Sequence, residues 1–135
     1  MPKIRPLSSM TTPRFADVAT FFRLPIEKDL SKLDYCICGV PWDGGTTNRP
    51  GARHGPREIR NASSLVRLYH PTSLQSPYDK YNVADIGDCP VNPANLDDSL
   101  KKIEHFYNQI KKSNTIPISI GGDHLISLPI LRGIK

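Results

Sequence analysis

The tetrapeptide Gly121-Gly122-Asp123-His124 has the residue types of a catalytic turn, and it follows directly on the apolar run Ile118-Ser119-Ile120. In α/β folds, ligands collect at the carboxyl ends of strands. Glycines let the backbone turn tightly there. A histidine placed beyond them offers an imidazole that is largely neutral near pH 7 and ligates transition metals. A single imidazole does not build a metal site, so His124 names a chemistry that needs partners from elsewhere.

Two other stretches carry polar residues at expected strand ends. Gly39 to Arg57 contains several glycines with Arg49 and Arg53, followed by a helix start at Pro56. Such a loop could cradle an anion against the helix N-terminus. Neither G-x-x-x-x-G-K-[ST] nor G-x-G-x-x-G is present, however, so the nucleotide reading is weak. The competing reading is a rigid loop whose arginines tie it to the core. In Asp85-Ile86-Gly87-Asp88, either acid could orient a neighbour, but acids at strand-end turns more often serve the turn itself. His54, His70 and His105 fall in a loop, at a helix end and on the polar side of a helix, and none is singled out as a ligand.

The elements that must place these residues are legible from periodicity. Asp34 to Val40 reads as a buried strand that breaks at Pro41. From Pro56, the positions Ile59, Ala62, Ser63, Val66 and Tyr69 recur at helical spacing up to His70-Pro71. Tyr81 to Ile86 is expected as a second strand. The next helix has Asn95 or Asp97 as its cap, acids in its first turn, an apolar face of Leu100, Ile103, Phe106, Tyr107 and Ile110, and Lys111 and Lys112 at its end. Thr115 to Ile120 is a third strand that should bury its aliphatics, and a last helix starts near Ser127 or Leu128. Strands alternating with helices predict a parallel sheet with crossover connections. The last helix has no stop signal beyond Gly133, and the pattern reads as cut rather than finished.

Bulk properties fit one globular domain of 135 residues with 38% hydrophobic and 23% charged residues. The net charge of +5 is scattered and is not interleaved with aromatics, which argues against nucleic acid. No apolar run is long enough for a membrane span. The three cysteines make no C-x-x-C pair, which favours a reducing compartment. Cys36 and Cys38 should share a strand face, whereas Cys89 reads as incidental. Residues 1–14 are basic, without an apolar signal core, and are expected to be flexible. The cytoplasm is the default location and the mitochondrion the alternative.

Taken together, these segments resemble the ureohydrolase family, the arginase and agmatinase group. Arg49-Pro50-Gly51-Ala52-Arg53 with Gly55-Pro56-Arg57-Glu58-Ile59-Arg60 is similar to that family's N-terminal loop and first helix. Val83 to Asp88 is similar to its second strand, and Ile116 to His124 to the strand that delivers its first metal ligand. Pro13 to Asp17 and Phe22 to Pro25 resemble the agmatinase and guanidinobutyrase branch. The resemblance implies an α/β fold, a three-layer parallel sheet of the arginase type, of which residues 1–135 form the N-terminal part with about three strands and their crossover helices. It also implies a binuclear Mn centre that activates water for attack on a guanidinium carbon, releasing urea and an amine.

On this resemblance His124 is a metal ligand, and Asp123 holds the site without ligating. The substrate is a small guanidino compound of agmatine or guanidinobutyrate type, and the full-length protein is a homo-oligomer. The family's remaining ligands lie in D-x-H-x-D and D-x-D motifs, neither of which occurs here. The chain alone is therefore expected to be inactive. A non-catalytic truncated chain or pseudoenzyme is the alternative, and an anion-binding module built on Arg49 and Arg53 is a third reading. Leu125 stands where the family usually has serine or threonine, and His54 where an aromatic is common.

Overall fold

The computed structural model describes residues 4–135. Three strands, β1 (Tyr35–Val40), β2 (Val83–Asp88) and β3 (Ile116–Gly121), form one parallel sheet in the order β2-β1-β3. The first strand is therefore central, which suits its nearly unbroken burial. Tyr35 is opposite Val83 on one side and Ile116 on the other, and β2 slips by one residue after Ile37.

Three helices connect and cover the strands: α1 (Gly55–Ser63), α2 (Leu96–Lys112) and α3 (Ser127–Ile134). The period-2 geometry of β1 splits its side chains between two cores. Cys36, Cys38 and Val40 pack with Ala84 and Ile86 of β2 against Ile103, Tyr107 and Ile110 of α2. Ile37 faces the other way, with Val83, Phe21 and Leu24. Asn95 caps α2 through a hydrogen bond from the Asp98 amide at 2.9 Å. Close approach of α3 to α2 depends on Gly133, where a Cβ would lie 2.5 Å from the Glu104 carbonyl oxygen.

Three expectations need correction. The helix from Pro56 stops at Ser63, and Val66 and Tyr69 are exposed. Their helical spacing marks no core face, because α1 docks through Arg60 and Ser63 rather than through a stripe of aliphatics. Ser63 Oγ accepts the Phe22 amide at 2.9 Å. The aliphatics of β3 are not buried: Ile116 and Ile118 are 53% and 44% exposed, because Phe21 and Leu24 cover the sheet over Ile37 and Val83 but leave that face open at β3. Finally, Cys89 is a core residue, 2% exposed, and its amide continues the sheet by bonding to the Gly39 carbonyl at 2.8 Å.

The stretch before Arg14 contacts the domain at several points. The Ile4 amide donates to Asn82 Oδ1, Arg5 pairs with Asp79 at 2.8 Å, and the Leu7 amide donates to the Arg23 carbonyl. Residues 1–3 of this stretch lie outside the described residues. Among the described residues, no helix is long and apolar enough to cross a membrane.

Candidate catalytic turn at the carboxyl end of the sheet

The site is built where β1 and β3, side by side, deliver their following loops to the same end. β1 ends at Val40 and leads into Trp42-Asp43-Gly44-Gly45, while β3 ends at Gly121 and leads into Gly122-Asp123-His124. The two loops are joined by backbone bonds from the Asp123 amide to the Trp42 carbonyl at 2.9 Å and from the Gly122 amide to the Ala52 carbonyl at 3.3 Å.

Asp123 then locks the junction with its side chain. One carboxylate oxygen accepts the Gly45 amide at 2.6 Å, and the other accepts the Leu125 amide at 3.0 Å, capping the single 3₁₀ turn His124–Ile126. Both oxygens are thus committed to backbone donors, a pairing stronger than a neutral hydrogen bond. His124 follows immediately, as the first residue of that turn, with an exposed side chain. Leu125 packs against the larger core, so the methyl-bearing side chain at this position serves packing.

A second knot shapes the loop after β1. Asp43 is 2% exposed and accepts the Gly51 amide at 2.7 Å, the Arg53 amide at 3.3 Å and the Arg53 Nε–H at 2.6 Å. The Arg53 guanidinium, helped by the Gly51 amide and opposed by desolvation, holds the Asp43 carboxyl down to about 2. Arg53 is therefore engaged within the loop, and of the two arginines proposed for an anion only Arg49 remains exposed outside such a pair. Sequence reasoning missed Asp43 as the organiser. The available signal was an acid directly after a buried strand and before a glycine-rich loop.

Asp85 and Asp88 serve a different purpose. Asp85 is 1% exposed and receives Arg60 Nε and Nη2 at 2.8 and 3.0 Å, together with the amides of Phe21 and Gly87. Arg60 also reaches Asp88 at 2.7 Å and lies over the Phe21 ring, 4.1 Å from its centroid. Burial alone would raise the Asp85 pKa, but Arg60 and the two amides outweigh it and the carboxyl lies below its ordinary range. These acids fasten α1 and the Phe21 segment to β2. Sequence reasoning gave no partner for them, because Arg60 is one of 18 basic residues with nothing local to mark it.

Of the remaining histidines, His54 and His105 are exposed, and His70 Nδ1 lies 3.2 Å from the Ser73 amide. Among the described residues no three His, Cys, Asp or Glu side chains are grouped to hold a metal. The described residues therefore bring one imidazole to the turn and do not by themselves form a metal site. Trp42, just after β1, is buried and shapes the loop that follows. It is 6% exposed, and its ring packs over Gly44, where a Cβ would lie 2.3 Å from the indole.

Known proteins share this sequence pattern and fold. Residues 33–135 match the model of the arginase family. The chain is 55% identical over 130 residues to guanidinopropionase of Pseudomonas aeruginosa, an alignment that takes in 96% of this chain and 41% of that protein. It is 45% identical over 134 residues to guanidinobutyrase of the same organism, taking in 97% of this chain and 42% of that protein. The solved structure of proclavaminate amidino hydrolase from Streptomyces clavuligerus superposes with a TM-score of 0.86 at 34% identity, over 90% of this chain and 40% of that one. The chain spans about two fifths of the length of the curated relatives it matches.

Proposed function

The chain belongs to the arginase family, and from that premise we propose that it is the N-terminal portion of a Mn-dependent ureohydrolase. Its reaction is hydrolysis of a guanidino compound, of agmatine or guanidinobutyrate type, to urea and an amine. The observation that carries this reading is the His124 turn: an exposed imidazole at the carboxyl end of β3, positioned by an acid whose two oxygens are spent on the backbone. The likeness to guanidinopropionase and guanidinobutyrase supports a guanidino acid among the candidate substrates.

In this reading His124 is a metal ligand and Asp123 a positioning residue. Asp123 fixes the backbone turn that carries the imidazole and ties it to Gly45. The Asp43 knot holds the shape of the loop after β1. Because the chain contributes a single ligand, the other ligands and the hydrolytic step belong to sequence beyond these 135 residues. The same reading includes a cytoplasmic location, with the mitochondrion as alternative, and a homo-oligomeric full-length protein.

One observation favours a second reading, a non-catalytic chain that keeps the start of the fold: His124 stands without neighbouring ligands among the described residues. A urea-release assay with added Mn separates the two. Guanidinopropionate, guanidinobutyrate and agmatine are offered to the 135-residue chain and to the parent reading frame carried past Lys135. Urea is expected only from the extended protein, and His124→Ala is expected to remove it. An extended protein that folds and releases no urea from any of these compounds would leave the non-catalytic reading standing.

A further inference from the structure

One cavity among the described residues is well away from the His124 turn. It lies between the N-terminal segment and the carboxyl end of α1, and its volume is about 590 Å³, within the range of small-ligand pockets. Gly55 at the opposite end of α1 adjoins the catalytic turn, since a Cβ there would sit 2.8 Å from the Gly121 carbonyl oxygen. Asn61 and Ser64, which line the cavity, are a helix length away, about 12 Å at the α-helical rise.

The charges around this cavity do not balance. Its lining includes the guanidiniums of Arg5, Arg14 and Arg23 and one carboxylate, Asp17. Arg5 is neutralised by Asp79. Arg14 donates to the Leu65 carbonyl at 3.0 Å and Arg23 to the Thr12 carbonyl at 2.8 Å, neutral acceptors that hold each guanidinium in place without cancelling its charge. Neither has a carboxylate partner among the described residues. Asp17 accepts its own neighbour's amide, from Val18, at 2.7 Å. Apart from Thr20, Asn61 and Ser64, the rest of the wall is apolar: Leu24 is buried beneath, and Phe15, Val18 and Ile26 are 93%, 71% and 55% exposed.

We propose that this cavity binds an amphipathic monocarboxylate, with the carboxylate facing Arg14 and Arg23 and an apolar body against Phe15, Val18 and Ile26. Guanidinium groups pair with carboxylates through geometrically matched, charge-assisted hydrogen bonds. The ligand's apolar body covers surface that otherwise faces water. Two backbone carbonyls already fix the arginines, so little side-chain entropy is lost on binding. The site goes beyond the hydrolytic reading and does not depend on it.

The test titrates 4-phenylbutyrate into the 135-residue chain while backbone amide resonances are followed by NMR. Saturable shifts at Val18, Ala19 and Ser64 are expected, and not at Gly45 or Leu125. The matched alcohol 4-phenylbutanol and the short acid butyrate should each bind at least about tenfold more weakly, because each lacks one half of the recognition. Arg14→Gln should weaken 4-phenylbutyrate about tenfold, with Arg14→Lys retaining part of the affinity. Equal affinity for alcohol and acid would overturn the proposal, as would the absence of saturable shifts. So would sedimentation as a dimer together with amide exchange showing these residues protected by the second copy. The acid-against-alcohol comparison uses the unaltered protein and stands even where a variant misfolds.

Discussion

Asp123, on the turn after β3, accepts the amide hydrogen of Gly45, on the loop after β1, at 2.6 Å across 78 residues of sequence. This bond makes one site of two loops. It also sets the position of His124, because the other Asp123 oxygen caps the turn in which His124 is the first residue. Asp123→Ala removes an acceptor from both amides. Hydrogen bonds to charged groups contribute about 1.5–3 kcal/mol each. Because the turn is half-exposed and water replaces part of each bond, a total loss of about 1.5–3 kcal/mol, rather than twice that, is expected in urea unfolding. Faster amide exchange is expected at Gly45 and Leu125, with α2 unaffected. Unchanged exchange at Gly45 would show that the loop is held by something else.

The Asp85–Arg60 pair should be the costliest polar contact to break. Arg60 side-chain exposure is 13% and Asp85 exposure is 1%, so Asp85→Asn leaves a largely buried guanidinium with only Asp88 for charge. Breaking one side of a buried pair costs about 3–5 kcal/mol. The double variant Asp85→Asn with Arg60→Met should recover part of that loss, because it removes the stranded charge. Both losses are read from urea midpoints.

Acid should weaken the fold through the same carboxylates. Asp43 is held at about 2 by Arg53 and the loop amides, and Asp85 is also lowered. Groups with depressed folded pKa values contribute stability that is complete above their unfolded values, near 4. That stability is lost as pH falls through the folded value. Stability should therefore drop between about pH 4 and pH 2. Arg53→Gln should make that limb shallower by removing the main cause of the Asp43 shift. Melting temperature followed from pH 6 to pH 2 in both proteins checks it.

All three cysteines are buried, and none is in a disulfide. Burial, reinforced by the neighbouring Cys38 thiol, pushes Cys89 up to about 12. The nucleophile is the thiolate. Reaction also requires access to the sulfur, which burial denies to all three, so none of the thiols should react with Ellman's reagent in the native protein at pH 8, and all should react in denaturant. A native-state thiol titrating rapidly would contradict the placement of Cys89 in the core.

What was legible in the sequence was what local pattern decides. The apolar run of β1, the cap and apolar face of α2 and the order of strands and helices all follow from residues close together in the chain. The turn at Gly121 to His124 was legible for the same reason, since strand, glycines and polar pair are contiguous. What was not legible depends on partners far away in sequence. Arg60 draws α1 onto β2 through Asp85, 25 residues on, and that contact replaces the apolar face its spacing suggested. Burial of Cys89 follows from its position beneath α2 at the end of β2. Exposure of Ile116 and Ile118 follows from which strands the Phe21 segment covers, which a strand's own composition does not encode. Asp43 gave a weak local signal, but its partners Gly51 and Arg53 come from a loop without periodicity.

Gly122 tests whether the His124 turn tolerates any side chain. Its φ is 93°, and a Cβ would lie 2.5 Å from the Val40 carbonyl oxygen and 2.7 Å from that of Trp42. Gly51 is the internal control: its φ is 142°, and a Cβ there meets nothing within 4 Å. Left-handed strain alone costs about 1–3 kcal/mol, so Gly51→Ala should stay within that range. Gly122→Ala carries the same strain and also forces β1 and the turn apart. Its loss should exceed that of Gly51→Ala, and amide exchange at Gly45 should rise, because moving Gly122 also moves Asp123. Equal losses for the two variants would mean that the turn relaxes freely. The placement of His124 would then rest on Asp123 alone rather than on the close approach of Gly122 to the end of β1.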